Sequence, residues 1–259
     1  VSSSVINIKG DSMRQVPVKK RVRGSERDGT KIKEKFLEQR EEAVKAKALV
    51  PMNDRQREYI ALLNDKPVVV ATGFAGTSKT YIPTVMAADL YKLGKINKII
   101  VTRPAISSSM SVGFTSGDFT TKMKSWLGAV LPIFKERLGL AMMDLAIANT
   151  DIEFIPLETV KGLSLNNTWL LVEESSDLTK EEIVKLVTRM GKNSKLVLSG
   201  DIRQSELRGD SGLVWLTNFL DRHDHLSRNF GYIDFNSTDD IVRSNAVRDF
   251  IIAMVKDEG

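Results

Sequence analysis

Downstream of Pro51, short apolar runs alternate with stretches whose apolar residues recur every three or four positions. "PVVVATG", "KIIVTRP", "IEFIPL", "TWLLVEE" and "KLVLSGD" are the apolar runs. Each reads as one strand, and "PVVVATG", "TWLLVEE" and "KLVLSGD" have the near-continuous hydrophobicity of a buried strand. The segments between them have helical period. "NDRQREYIALLNDK" places Tyr59, Leu62 and Leu63 on one face, with Asn53 as its cap. "TYIPTVMAADLYKLG" stops at Gly94, and its Pro83 sits near the limit of the first turn, where a missing N–H is tolerated. Phe119 to Ala148 reads as mostly helical, with Trp126, Val130, Phe134 and Leu138 forming a core stripe. "TKEEIVKLVTRMG" has a capping box, Thr179 with Glu182, and a stop at Gly191. "SGLVWLTNFL" and "DDIVRSNAVRDFIIAMV" close the chain as helices. Strands alternating with helices predict an α/β fold with a parallel sheet flanked by helices on both faces.

Charge divides the chain at the same proline. Residues 1–50 hold 13 Lys/Arg against 7 Asp/Glu, whereas the remainder holds 25 against 26. The division predicts a basic leader, 1–50, ahead of one large domain, 51–259. "VKKRVRGSER" in the leader suits an arm for nucleic acid, or equally a solvated tail before a charged helix over 31–49. Phe36 is the only aromatic residue there, so base stacking has little to work with. The chain has no cysteine, which removes thiolate chemistry and fits a cytoplasmic protein. It has two histidines, His223 and His225, which read as a solvated pair near a helix end. No apolar run approaches the roughly 18 residues of a membrane helix, and the N-terminal residues lack a signal peptide's apolar stretch, so no membrane partner is expected.

The chemistry sits at two strand ends. "GFAGTSKT" (Gly73, Phe74, Ala75, Gly76, Thr77, Ser78, Lys79, Thr80) follows one buried run and opens a helix. It nearly matches G-x-x-x-x-G-K-[ST], the loop whose small residues let backbone N–H groups close around phosphates at a helix N-terminus. In that pattern Lys79 reaches the terminal phosphates of ATP and the Thr80 hydroxyl ligates Mg²⁺. "WLLVEESSD" offers Glu173 and Glu174 directly after a second buried run. One carboxylate beside the metal and the next polarising a water is a workable division of labour. Without the loop, the two would read as solvated glutamates at a strand end.

Taken together in order, "ATGFAGTSKT", "VTRPA", "VGFTSGD", "VKGLSLNNTWLLVEESSD", "LSGDIRQSELRGDSGL" and "DDIVRS" resemble the PhoH family of P-loop ATPases over roughly four-fifths of the chain, the phage-encoded branch most nearly. The resemblance implies a RecA- or helicase-like P-loop NTPase fold using ATP and Mg²⁺ in the (host) cytoplasm. It implies that Gln56 reads the adenine edge, that Gln204 senses the γ-phosphate, and that Arg243 is an arginine finger offered to a neighbouring subunit. The working form would then be a ring-shaped homo-oligomer, a hexamer. Arg103 would contact single-stranded RNA or DNA, or the next subunit.

The chain departs from the family at several of these places. Ser78 replaces glycine, which costs on the order of 1–2 kcal/mol if φ is positive there. Glu173 replaces aspartate, moving the carboxylate by roughly a bond length, enough to disturb a strict octahedral shell. Ser175-Ser176 replaces Ala-Gln, and Thr115-Ser116 stands where a proline is common. Three functions follow: a slow ATPase, with turnover raised by reverting Ser78→Gly and Glu173→Asp; a non-hydrolysing nucleotide-binding scaffold; or a nucleic-acid-binding protein with a vestigial loop.

Overall fold

A computed structural model describes residues 48–104, 128–207 and 211–258, all within the unit Glu42–Gly259. Residues 1–47 of the basic leader, with nearly all of the helix expected over 31–49, Trp126 and the Thr115–Ser116 pair lie outside the described residues. Helix α1 (Asp54–Asp65) is capped by Asn53, whose side chain accepts from the Gln56 N–H, and it buries Tyr59 and Leu63. Strand β1 (Val68–Gly73) follows, then α2 (Tyr81–Lys92), where Pro83 is the third helical residue and has no intrahelical bond to lose. β2 (Lys98–Thr102) leads towards α3 (Leu131–Leu138) and α4 (Leu140–Ala148), which Gly139 separates at φ 75°. Val130, Phe134 and Leu138 are buried, as their spacing predicted.

The second half continues with β3 (Ile152–Phe154), a single turn α5 (Leu157–Val160) and β4 (Thr168–Val172). Helix α6 (Lys180–Arg189) carries the expected capping box in full, Thr179 bonding the Glu182 N–H and Glu182 reaching back. Then come β5 (Lys195–Ser199), α7 (Gly212–Asp221), β6 (Phe230–Phe235) and α8 (Asn245–Glu258). Two expectations need correcting here. The last helix starts at Asn245 rather than near Asp239, because Thr238–Asp240 forms its own short 3₁₀ turn with Ser237 as cap. The histidines are not a solvated pair: His225 is exposed, but His223 is half-buried and stacked on Phe219, with ring centroids 4.3 Å apart.

The six strands form one all-parallel sheet in the order β3-β2-β4-β5-β1-β6. Val68, Val70, Leu170, Val172, Leu196 and Leu198 share one core with Leu178, Ile183, Leu186, Leu213 and Leu216. Val69, Leu171 and Val197 alternate with them onto the opposite face and are buried too. Each such side chain contributes about 2 kcal/mol of burial, which is what holds the sheet between two layers. β6 is the strand the apolar runs did not announce. It lies at the sheet edge, and its exposed Tyr232 and half-buried Asp234 interrupt the hydrophobic run.

Strand order decides where a ligand can sit. From β1 the chain passes β5 and β4 to reach β2, whereas from β5 it crosses β1 to reach β6. The connections diverge between β1 and β5, and they open a crevice at the carboxyl ends of those strands.

Candidate active site

The loop after β1 is held by close backbone contacts. Gly73 has φ 111°, and a Cβ there would lie 2.3 Å from the Phe235 carbonyl oxygen. Only glycine satisfies both demands, and the approach lets the Phe74 N–H donate to that oxygen at 2.9 Å. Gly76 (φ 78°) lies under Arg243, whose Cγ would be 2.6 Å from an added Cβ, and Val242 N–H donates to the Gly76 carbonyl at 3.0 Å. Thr77 Oγ1 donates to the Phe74 carbonyl at 2.9 Å. Lys79 Nζ turns back to donate to the carbonyls of Gly73 at 2.7 Å and Phe74 at 2.5 Å. Ser78 adopts φ 73°, the left-handed region in which a serine is strained.

Helix α1 supports this loop from behind. Tyr59 Oη donates to the Lys79 carbonyl at 3.1 Å, and Gln56 Nε2 donates to Ser78 Oγ at 3.3 Å. Gln56 is buried, and its Oε1 accepts from the Met52 N–H at 2.9 Å.

The acids arrive on β4, one strand beyond β5. Thr80 Oγ1 donates to Glu173 Oε2, and Ser199 Oγ lies 3.5 Å from Glu173 Oε1. Burial pushes the Glu173 carboxyl up to about 7, against the hydrogen bond from Thr80 and with the neighbouring Glu174 charge adding to the rise. Glu174 is exposed, with φ 51°. Burial likewise lowers the Lys79 ammonium to about 8, while Asp201 and Glu174 pull the other way. Next in the chain, Ser175 and Ser176 are fully buried. The Ser176 carbonyl accepts from Ser205 Oγ at 2.8 Å and Ser211 Oγ at 2.6 Å, but the Ser175 hydroxyl has no partner among the described residues.

These groups share one open cleft of about 730 Å³. Lys79, Thr80, Glu173, Glu174, Gln204 and Arg243 all line it, together with Ala75, Gly76, Thr77 and Ser78. Gly73, Phe74 and Gln56 do not line the cleft, and neither does Arg103, which is half-buried just after β2. Arg243 lies over Gly76 in the loop of its own chain and lines the cleft. Asp201 is a lining residue that sequence reasoning passed over. Buried at the end of β5, it accepts from Gln204 Nε2 at 3.1 Å and Arg203 Nε at 3.2 Å. The Arg203 guanidinium in turn sits 3.6 Å from the Phe74 ring centroid. The signal was available, since "SGD" directly follows a buried strand as "VEE" does. Met52, Tyr81, Pro132 and Ile133 give the cleft an apolar wall.

The adjacent Thr80 hydroxyl and Glu173 carboxylate are hard oxygen donors, the set magnesium prefers. Among the described residues, no group of three or more His, Cys, Asp or Glu side chains is arranged to hold a metal ion by itself.

The family model for PhoH-like proteins matches residues 48–255. The chain belongs to the PhoH-like protein family. It is 33% identical over 203 residues to a PhoH-like protein of Bacillus subtilis (strain 168), covering 78% of this chain and 62% of that one. A PhoH-like protein of Mycobacterium leprae (strain TN) is 26% identical over 216 residues, covering 83% and 60%. Protein PhoH of Escherichia coli (strain K12) is 29% identical over 161 residues, covering 61% and 46%. The chain thus spans about three-fifths of the length of the first two relatives. Among solved structures, the large terminase from a thermophilic bacteriophage matches with a TM-score of 0.48 at 10% identity, over 78% of this chain and 50% of that one. The PhoH-like sheet, with its loop after β1 and acids after β4, is a P-loop NTPase fold. Among the described residues of this PhoH-like chain, no helix is long and apolar enough to cross a membrane.

Proposed function

We propose that this PhoH-like chain binds ATP with Mg²⁺ in the cleft and hydrolyses it slowly. The observation that carries the reading is convergence: Lys79 and Thr80 from β1 and Glu173 and Glu174 from β4 line one cleft, with Thr80 bonded to Glu173. In this reading Lys79 releases the Gly73 and Phe74 carbonyls to bind phosphate oxygens. Thr80 and Glu173 hold the metal, which when bound neutralises charge on the phosphates. Glu174 orients and polarises the attacking water, Gln204 senses the terminal phosphate, and Arg243 offsets its charge in cis. Slow turnover follows from the strained Ser78 and from Ser175-Ser176, where the resemblance puts Ala-Gln. Single-turnover hydrolysis of radiolabelled ATP tests the claim. The wild-type chain is expected to release phosphate at least ~10²-fold faster than Lys79→Ala, the scale of losing one preorganised charge contact; equal rates would remove the enzymatic reading.

A second reading, a nucleotide-binding scaffold without turnover, is favoured by the buried Ser175 hydroxyl, which has no partner among the described residues. ATP-dependent assembly measured by light scattering, with no phosphate release, would select it. Ring formation and a single-stranded RNA or DNA partner are separate proposals, supported by the family resemblance and the basic leader. Stimulation of hydrolysis by added single strands, at several salt concentrations, tests the nucleic-acid partner.

A further inference from the structure

We infer that Ser78 is a positioning residue that ties the phosphate loop to the apolar lip of the cleft through the Gln56 amide. Gln56 is 2% exposed, so both ends of its amide need protein partners. Oε1 takes the Met52 N–H at 2.9 Å, and Nε2 gives a proton to Ser78 Oγ at 3.3 Å. A glycine at 78 offers Nε2 no such acceptor. The serine therefore strains the loop at φ 73° and at the same time completes a relay, Ser78 hydroxyl to Gln56 amide to Met52 backbone.

The far end of the relay is a ligand-facing surface. The Met52 residue is 72% exposed and lines the cleft, as does Tyr81, which is 39% exposed and follows Thr80 in sequence. These two offer a flat or pliable apolar contact to whatever lies beyond the phosphates, as a purine or pyrimidine ring does in a nucleotide. Gln56 and Asn53 hold the turn that presents Met52, and Ser78 holds Gln56. When the loop moves to accept phosphate, the relay carries that movement to the lip. Ser78 thus sets how much better the cleft binds a base-bearing triphosphate than a bare one. This consequence rests on the nucleotide reading above; the relay itself does not.

Two measurements on the full chain separate them. The first is amide hydrogen exchange at Met52 without ligand. Ser78→Ala keeps the Cβ and removes the hydroxyl, and is expected to speed exchange at Met52 roughly threefold to tenfold, the scale of one net hydrogen bond. Gln56→Met should do the same, and the double variant should exchange no faster than Gln56→Met alone. Unchanged Met52 exchange in Ser78→Ala, or additive effects in the double variant, overturns the relay. The second measurement is calorimetric affinity for ATP and for inorganic tripolyphosphate. Ser78→Ala is expected to lose roughly threefold to tenfold more affinity for ATP than for tripolyphosphate. An equal fall for both ligands overturns the role in base preference. Wild-type protein that binds neither would refute the nucleotide reading, and the exchange result would still decide the relay.

Discussion

The two strand ends that face each other across the cleft are built to different standards. After β1, the polar side chains that shape the loop have partners: Thr77 caps Phe74, Lys79 spans two carbonyls, and even the foreign Ser78 is taken up by Gln56. After β4 the supports are thinner. Burial raises the Glu173 carboxyl to about 7, Glu174 sits in left-handed backbone, and the buried Ser175 hydroxyl has no partner among the described residues. The comparison puts the thinner support on the acid side of the cleft rather than on the loop side.

Four perturbations break or sharpen that contrast. The largest effect is expected from Glu174→Gln, which removes the proposed base and should slow single-turnover hydrolysis by roughly 10²–10³-fold with ATP affinity retained. A variant as fast as wild type would leave the acid side without a catalytic role. Next, Gly73→Ala should cost about 3 kcal/mol in urea denaturation, because its Cβ meets a carbonyl oxygen at 2.3 Å in backbone of φ 111°. Gly76→Ala should cost about half as much, since its Cβ meets the pliable Arg243 side chain. If the two alanines cost the same, the loop is less tightly built than described. Thirdly, Ser175→Ala should stabilise the chain by about 1 kcal/mol by deleting a buried hydroxyl that has no partner.

The fourth effect is a pH dependence. The Glu173 carboxyl is raised from 4.5 to about 7, so the folded state binds its proton more tightly than the unfolded chain does. Its contribution to stability is therefore complete below the unfolded value and is lost as pH rises through about 7. Lys79, lowered to about 8, acts in the opposite sense only above that pH. Thermal melts in EDTA should show Glu173→Gln flattening the decline between roughly pH 5 and 8. Parallel curves for the two proteins would mean that Glu173 is better solvated than its burial implies.

Much of the scaffold was legible because its signals are local. Of the six strands among the described residues, five announced themselves as apolar runs. Four of these lie inside the sheet, where a strand covered on both faces has no polar side to show, and the fifth is the edge strand β3. The Asn53 cap and the Thr179–Glu182 box were readable for the same reason: both partners lie within one turn. β6 stayed hidden because an edge strand keeps Tyr232 and Asp234 among its apolar residues. Asp201 was overlooked because a single acid after a strand is ambiguous until its neighbours are known.

By themselves, the residues determined that a phosphate-type loop would follow one buried strand and a pair of acids another. They could not say that β5 would lie between those strands, that Arg243 would fold back over its own loop, or that Gln56 would spend its amide on Ser78. The difference is one of range. Period, capping and turn chemistry act over a few residues, whereas strand order and side-chain meetings across 22 or 93 positions exist only once the sheet has closed.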